Sequence, residues 1–176
     1  MSYHDKLRTA LKFAALKHAG QVRKGTDVPY LVHPVEVAMV LQSLHCQTDV
    51  IVAGFLHDTI EDTDTTFEEI EALFGTRVAS VVAEVSEVSK KRAYAKAHTY
   101  SPDAIRVKAA DLICNVGDLY SDWMRDGDAT FTRFAHGKAT LDHYEKMIVL
   151  LIDRTKLMPV INKALVELLT KLRSML

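Results

Sequence analysis

The stretch Phe55-Leu56-His57-Asp58-Thr59-Ile60-Glu61-Asp62-Thr63 decides how this chain is read. The residues leading into it, 50–56, are apolar on every side, so the helix they predict is buried on both faces. At its end an imidazole and a carboxylate stand side by side, and two more carboxylates follow four residues on from each. His57 and Asp58 are separated by about 100° around a helix axis, and Glu61 and Asp62 stack one turn above them. Neighbouring carboxylates at low dielectric cannot all stay ionised cheaply. A divalent cation resolves that conflict, and the stretch predicts one wall of a metal-dependent hydrolytic site. The plainer alternative is a polar helix end running into the loop Thr63-Asp64-Thr65.

Upstream, Thr48 is the expected N-cap of this helix, with Asp49 in the first turn where the helix dipole favours negative charge. Before it, Leu31-Val32-His33-Pro34 leads into another helical apolar pattern through Leu44. Proline suits the first helical position, and the residue before a proline is steered to extended backbone. His33 is therefore expected at the helix entrance on a stiff joint, as a metal ligand or a cap. The segment 21–30 reads as a loop from its Gly, Asp and Pro content, and it carries the adjacent cations Arg23 and Lys24. The first helix shows Leu7, Leu11, Ala14 and His18 at three- and four-residue steps and stops near Gly20. His18 continues that stripe and reads as a buried histidine with a satisfied hydrogen bond.

Downstream, Thr65-Thr66-Phe67-Glu68 predicts a capping box, Gly75 a helix stop, and 78–88 a further apolar helix. The run Ser89-Lys90-Lys91-Arg92-Ala93-Tyr94-Ala95-Lys96 is strongly basic and reads as a solvated face. Pro102 opens a helix with the stripe Ile105, Ala109, Leu112, Val116 and Leu119. Asp111 sits inside that apolar context, an expensive place for an acid without a partner. It is the expected fourth ligand. Two amphipathic helices follow, one through Phe134, Leu141, Tyr144, Ile148 and Leu151 and one from Pro159 through Leu172. Strand-like alternation is nowhere sustained, which predicts an all-α helical bundle.

The 176 residues suffice for one compact domain, taken here as 1–176. With 48% hydrophobic and 26% charged residues the chain is neither disordered nor fibrous. A net charge of −1 supplies no general field for a nucleic-acid polymer. Cys46 and Cys114 have no metal or disulfide spacing, which suits a reducing cytoplasm. No apolar run reaches the roughly 18 residues of a membrane span, and residues 1–8 lack a signal-like apolar core. The C-terminal helix leaves an oligomer open.

His33, His57, Asp58 and Asp111 thus form the expected ligand set. Imidazole and carboxylate without thiolate suit Mn, Fe or Zn, with coordination positions left for water and a phosphate oxygen. Glu61 is then placed to orient or deprotonate that water. These motifs, with Gly20-Gln21-Val22-Arg23-Lys24-Gly25, Pro29-Tyr30 and Lys108-Ala109-Ala110-Asp111 plus Asn115, resemble the HD-domain hydrolases of the RelA/SpoT type. The resemblance runs from about residue 18 to 119, and more weakly through 133 to 144. It implies an all-α HD-type bundle and a Mn-dependent 3′-pyrophosphohydrolase of the alarmones ppGpp and pppGpp, like the small stand-alone members of the family. By matching position it implies Asp62 beside Glu61 in serving the attacking water, and Arg23, Lys24, Tyr30 and Asn115 in contact with a small-molecule nucleotide. Leu112 stands where the family usually has a cation, and Cys114 where it often has an aromatic or histidine. Two other functions share these motifs: an HD-type phosphatase on another nucleotide, such as the 2′-phosphate of NADPH, and a non-catalytic nucleotide-binding sensor.

Overall fold

Every element of secondary structure among the described residues is helical, and only an isolated antiparallel bridge between Val22 and Pro29 closes the loop after the first helix. The computed structural model describes residues 2–86 and 90–176, the side chains of 90–93 excepted. The helices are α1 (Tyr3–Lys17), α2 (Val32–Ser43), α3 (Thr48–Leu56), the single turn α4 (Thr59–Asp62), α5 (Phe67–Phe74), α6 (Thr76–Val85), α7 (Lys90–Ala97), α8 (Pro102–Asp126), α9 (Thr140–Arg154) and α10 (Pro159–Ser174). Two 3₁₀ turns, Gly127–Arg133 and Gly137–Ala139, join α8 to α9.

As its composition requires, α3 is central. Val50–Gly54 and Leu56 are all buried, and the helix packs against α1, α2, α6 and α8. Around it α8 lays down the expected stripe, with Ile105, Ala109, Leu112, Val116 and Leu119 each at most 2% exposed. The last helix closes the bundle through Ile161, Leu165, Leu168 and Leu172 against α8 and α9. Each large aliphatic side chain so buried contributes about 1.5–3 kcal/mol of transfer free energy. No described helix is long and apolar enough to cross a membrane. Both cysteines are free thiols, and burial first among its causes pushes the Cys114 thiol up to about 12.

Several boundaries differ from expectation, each for a local reason. Pro34 is the third residue of α2 rather than the first, because the chain already turns at Pro29 and Tyr30, whose carbonyls accept from Val32 N and His33 N. His33 therefore sits in the first helical turn, not on an extended joint. The N-cap of α3 is Gln47, and Thr48 is helical. The capping position before α5 is Thr66, whose hydroxyl accepts from Glu69 N, one residue later than the expected box. In α1 the buried positions are Ala10 and Ala14, while Leu11 is 37% exposed. Helix α6 ends at Val85 with Ser86 as C-cap, so the expectation for its last residues and for Ser89 falls outside the described residues. Phe134 caps a 3₁₀ turn instead of joining α9.

At Gly54 α3 packs tightly against α2. A Cβ there would lie 2.5 Å from Leu41 Cδ1, and Leu41 is fully buried. Gly54→Ala gains about 1 kcal/mol of helix propensity but overpacks a filled core, which costs about 1–3 kcal/mol. The expected outcome in urea unfolding is a net loss of up to about 2 kcal/mol with an unchanged m-value; a gain in stability would show that the α2–α3 contact is loose.

Candidate metal centre and active site

Three packed helices deliver four ionisable side chains to one place. The first turn of α2 brings His33, the end of α3 brings His57 and Asp58, and the interior of α8 brings Asp111. The α3 helix does not run on through Glu61 as expected: it breaks at His57 and Asp58 and resumes as the single turn α4. Asp58 stays in the right-handed region, and Asp62 N still donates to Asp58 O at 2.8 Å. The one-turn offset between the two pairs therefore survives the break.

Ligand atoms of His33, His57 and Asp58 lie within 4.8 Å of one another. Asp111 Oδ1 joins them, 3.1 Å from His33 Nε2 and 3.7 Å from His57 Nε2, while Asp58 Oδ2 is 3.6 Å and 3.0 Å from the same two atoms. Both imidazoles thus turn Nε2 toward the same two carboxylates. The His57 ring is oriented from behind, since Nδ1 meets Gly54 O at 2.9 Å, where the carbonyl only accepts and the proton must sit on Nδ1. His57 Nε2 is buried and makes no hydrogen bond among the described residues, even though Asp58 lies beside it. An orphaned ring nitrogen facing the buried Asp111 and the half-buried Asp58, with no thiolate in the group, fits a divalent cation bound through nitrogen and oxygen.

The electrostatics agree. Burial alone would lower His57, but Asp58 and Asp111 outweigh it and raise the imidazole to about 10. Burial likewise opposes ionisation of Asp58, yet His57 beside it draws the carboxyl down to about 2. Asp111 also lies well below the ordinary carboxylate range: burial works against its ionisation, but Lys108, whose Nζ is 3.0 Å from Oδ2, outweighs it together with the two histidines. Positive charge is what keeps both carboxylates ionised here.

The other expected residues surround this centre. Tyr30 donates its hydroxyl to Asp58 Oδ2 at 2.6 Å, and burial followed by Asp58 pushes its phenol well above the ordinary range. Asn115 donates Nδ2 to Asp111 Oδ1 and accepts from Arg23 Nη2 at 3.0 Å. Glu61 and Asp62 line the rim of a cleft of about 200 Å³ that reaches His57, Asp58 and Asp111. Burial, then Asp58, raises the Asp62 carboxyl. Arg23 and Lys24 face a larger adjoining groove of about 420 Å³, which shares Tyr30, Asn115 and Tyr144 with the cleft. Lys24 is not beside the metal ligands: its Nζ stands 5.3 Å over the Phe134 ring.

Several residues here escape a reading of the sequence. Asp118 holds Arg23 Nη2 at 2.8 Å and Asp122 holds Arg133 Nη2 at 2.6 Å, both on the groove, while His143 lines the cleft together with Lys108 of the quoted motif. A signal was present for the two acids, because Asp111, Asn115, Asp118 and Asp122 recur at steps of four, three and four and form a polar stripe along α8. Nothing local marks Arg133, which reaches the groove from a 3₁₀ turn and lies so close to Gly25 that a Cβ there would meet its Cδ at 2.8 Å. Leu112 is both core and cleft wall, so no cation stands at that position.

Residues 10–113 match the family model described as HD domain. The human guanosine-3′,5′-bis(diphosphate) 3′-pyrophosphohydrolase MESH1 is 42% identical over 123 residues, covering 64% of this chain and 69% of that protein. The guanosine-3′,5′-bis(diphosphate) 3′-pyrophosphohydrolase of Aquifex aeolicus is 40% identical over 126 residues, which is 66% of this chain but only 18% of the longer relative. A solved structure, described as a metazoan ortholog of SpoT that hydrolyzes ppGpp and plays a role in starvation responses, superposes with a TM-score of 0.78 at 29% identity over 97% of each chain.

A centre of this kind should take up a divalent ion and be stabilised by it. At an ion concentration about 100 times its Kd the gain is about 2.7 kcal/mol, read as a rise in Tm over the metal-free protein. His57→Ala and Asp58→Ala should each remove that increment while keeping the helical circular dichroism. An increment retained in both variants would mean that the ion binds elsewhere.

Proposed function

From the HD-domain family, to which this chain belongs, we propose a Mn-dependent phosphohydrolase that cleaves the 3′-pyrophosphate of ppGpp and pppGpp to give pyrophosphate and GDP or GTP. Residues 1–176 act in this reading as a single HD domain in the cytoplasm. The observation that carries it is the convergence of His33, His57, Asp58 and Asp111 beside a cleft lined by Glu61 and Asp62 and adjoining a groove lined by Arg23, Lys24 and Arg133. The names of the similar proteins supply the nucleotide.

The four ligands would hold the ion, which when bound lowers the pKa of a coordinated water and offsets phosphate charge. Glu61 accepts the proton of the attacking water, and Asp62 beside it orients that water. The water oxygen bonds to the phosphorus attached to ribose O3′, the P–O3′ bond breaks, and O3′ keeps the electron pair and takes up a proton. Tyr30 and Asn115 hold Asp58 and Asp111 in place, each through a hydrogen bond to a ligand oxygen. Arg23 and Lys24 bind the charged nucleotide in the groove.

Purified protein with Mn²⁺ should release pyrophosphate from ppGpp, and His57→Ala or Asp58→Ala should abolish release. Glu61→Ala should keep the ion yet lose roughly 10²-fold or more in kcat, as removal of a general base does. An unchanged rate in either ligand variant overturns the proposal. Orthophosphate released from NADPH, with no pyrophosphate from ppGpp, would favour the 2′-phosphatase reading.

A further inference from the structure

Glu61 and Asp62 ride on the weakest element of the site. Helix α4 has four residues, and a single turn has little stability of its own because its nucleus fixes several dihedrals for few hydrogen bonds. Its own main chain supplies Asp62 N to Asp58 O at 2.8 Å and Thr63 N to Thr59 O at 3.2 Å. Two side chains add hydrogen bonds to its carbonyls. Thr63 Oγ1 donates to Thr59 O at 2.6 Å, and Gln21 Nε2 donates to Asp62 O at 2.9 Å.

Gln21 is itself firmly placed. Its N–H donates to His18 O, its carbonyl accepts from Tyr30 N, and its Oε1 lies 2.7 Å from His18 Nδ1. Since Nε2 is committed to Asp62 O, Oε1 is the acceptor, so His18 Nδ1 carries the proton. His18 is 3% exposed and its ring lies 4.9 Å from that of Tyr30, the residue that donates to Asp58. One buried imidazole thus supports the metal ligands through Tyr30 and the carboxylates above them through Gln21.

We propose that His18 and Gln21 form a positioning pair that fixes the one-turn helix carrying Glu61 and Asp62 over the metal ligands. Neither residue touches the reacting atoms in this assignment. It rests on the hydrolytic reading for its kinetic consequence but not for its structural one. Loss of the pair should let the two carboxylates drift from the attacking water, and a displacement of about 1 Å costs up to about 10²-fold in rate.

The experiment uses the full chain and measures three quantities together: hydrogen exchange of the segment 59–64, Mn²⁺ affinity by the electron paramagnetic resonance of the free ion, and kcat and KM on ppGpp. Gln21→Glu keeps the shape and removes the N–H donor, and His18→Phe keeps the ring against Tyr30 and removes the Nδ1 donor. Both should speed exchange in 59–64 and lower kcat by about 10- to 100-fold, with KM and Mn²⁺ affinity within about threefold of wild type. His18→Asn returns an N–H near the Nδ1 position and should recover a large part of kcat. The double variant should be no worse than the poorer single, as expected of one coupled unit. Unchanged exchange in 59–64 overturns the proposal, as does a fall in kcat matched by an equal fall in Mn²⁺ affinity. If wild-type protein releases no pyrophosphate, the hydrolytic reading fails, and the exchange measurement still decides whether the pair holds α4.

Discussion

Two carboxylates set against two buried imidazoles are the constraint around which this molecule is arranged. Asp58 and Asp111 share one small volume with His33 and His57, and the chain keeps both acids ionised by surrounding them with donors and positive charge. Such a group is costly to hold without a cation, because each charge has left water for a low-dielectric setting. The cost is distributed over three helices. Each of these side chains comes from, or directly follows, a helix that also supplies core residues, so core packing and their placement are one problem. A loop could not hold four groups at these separations without its own conformational entropy opposing it.

Helix α8 shows how the two tasks fit on one element. Its 25 residues carry an apolar stripe toward the bundle and a polar stripe of Asp111, Asn115, Asp118 and Asp122 toward the cleft and groove. The first residue of the polar stripe belongs to the metal centre. The later ones hold Arg23 and Arg133, which the loop after α1 and the 3₁₀ turn before α9 bring in. Along α8 the site thus changes from an acid beside the two imidazoles to an amide and two acids that hold the cations of the groove.

Much of this was legible in the sequence, and the limits have physical causes. The fully apolar run before His57 made α3 central, and the period of α8 fixed which face of it is buried. That Asp111 would meet a partner was legible because an acid amid small apolar residues is anomalous without one, and it lies against His33 and His57. What stayed hidden depends on the third dimension. The break after Leu56 left no mark, since His57 and Asp58 keep helical dihedrals while the hydrogen-bond ladder is interrupted. Pro34 misled because a turn upstream had already started α2. Arg133 and Phe134 belong to the groove only through packing, far along the chain from Arg23 and Lys24. His18 read correctly as a buried, hydrogen-bonded histidine, but sequence could not show that its partner grips the helix carrying Glu61 and Asp62.

The amide of Asn115 has one orientation that its neighbours permit. Its oxygen meets a guanidinium and its nitrogen meets a carboxylate, so a half-turn about the side chain would set like polarity against like at both ends. The amide is therefore a directional joint between the cation that faces the groove and the oxygen that faces the metal centre. Thermodynamic reciprocity then applies across it. Whatever draws Arg23 away from Asn115 changes the donor on Asp111, and whatever draws Asp111 toward an ion changes the acceptor on Arg23 by the same free energy. The two halves of the site are thus joined through one side chain.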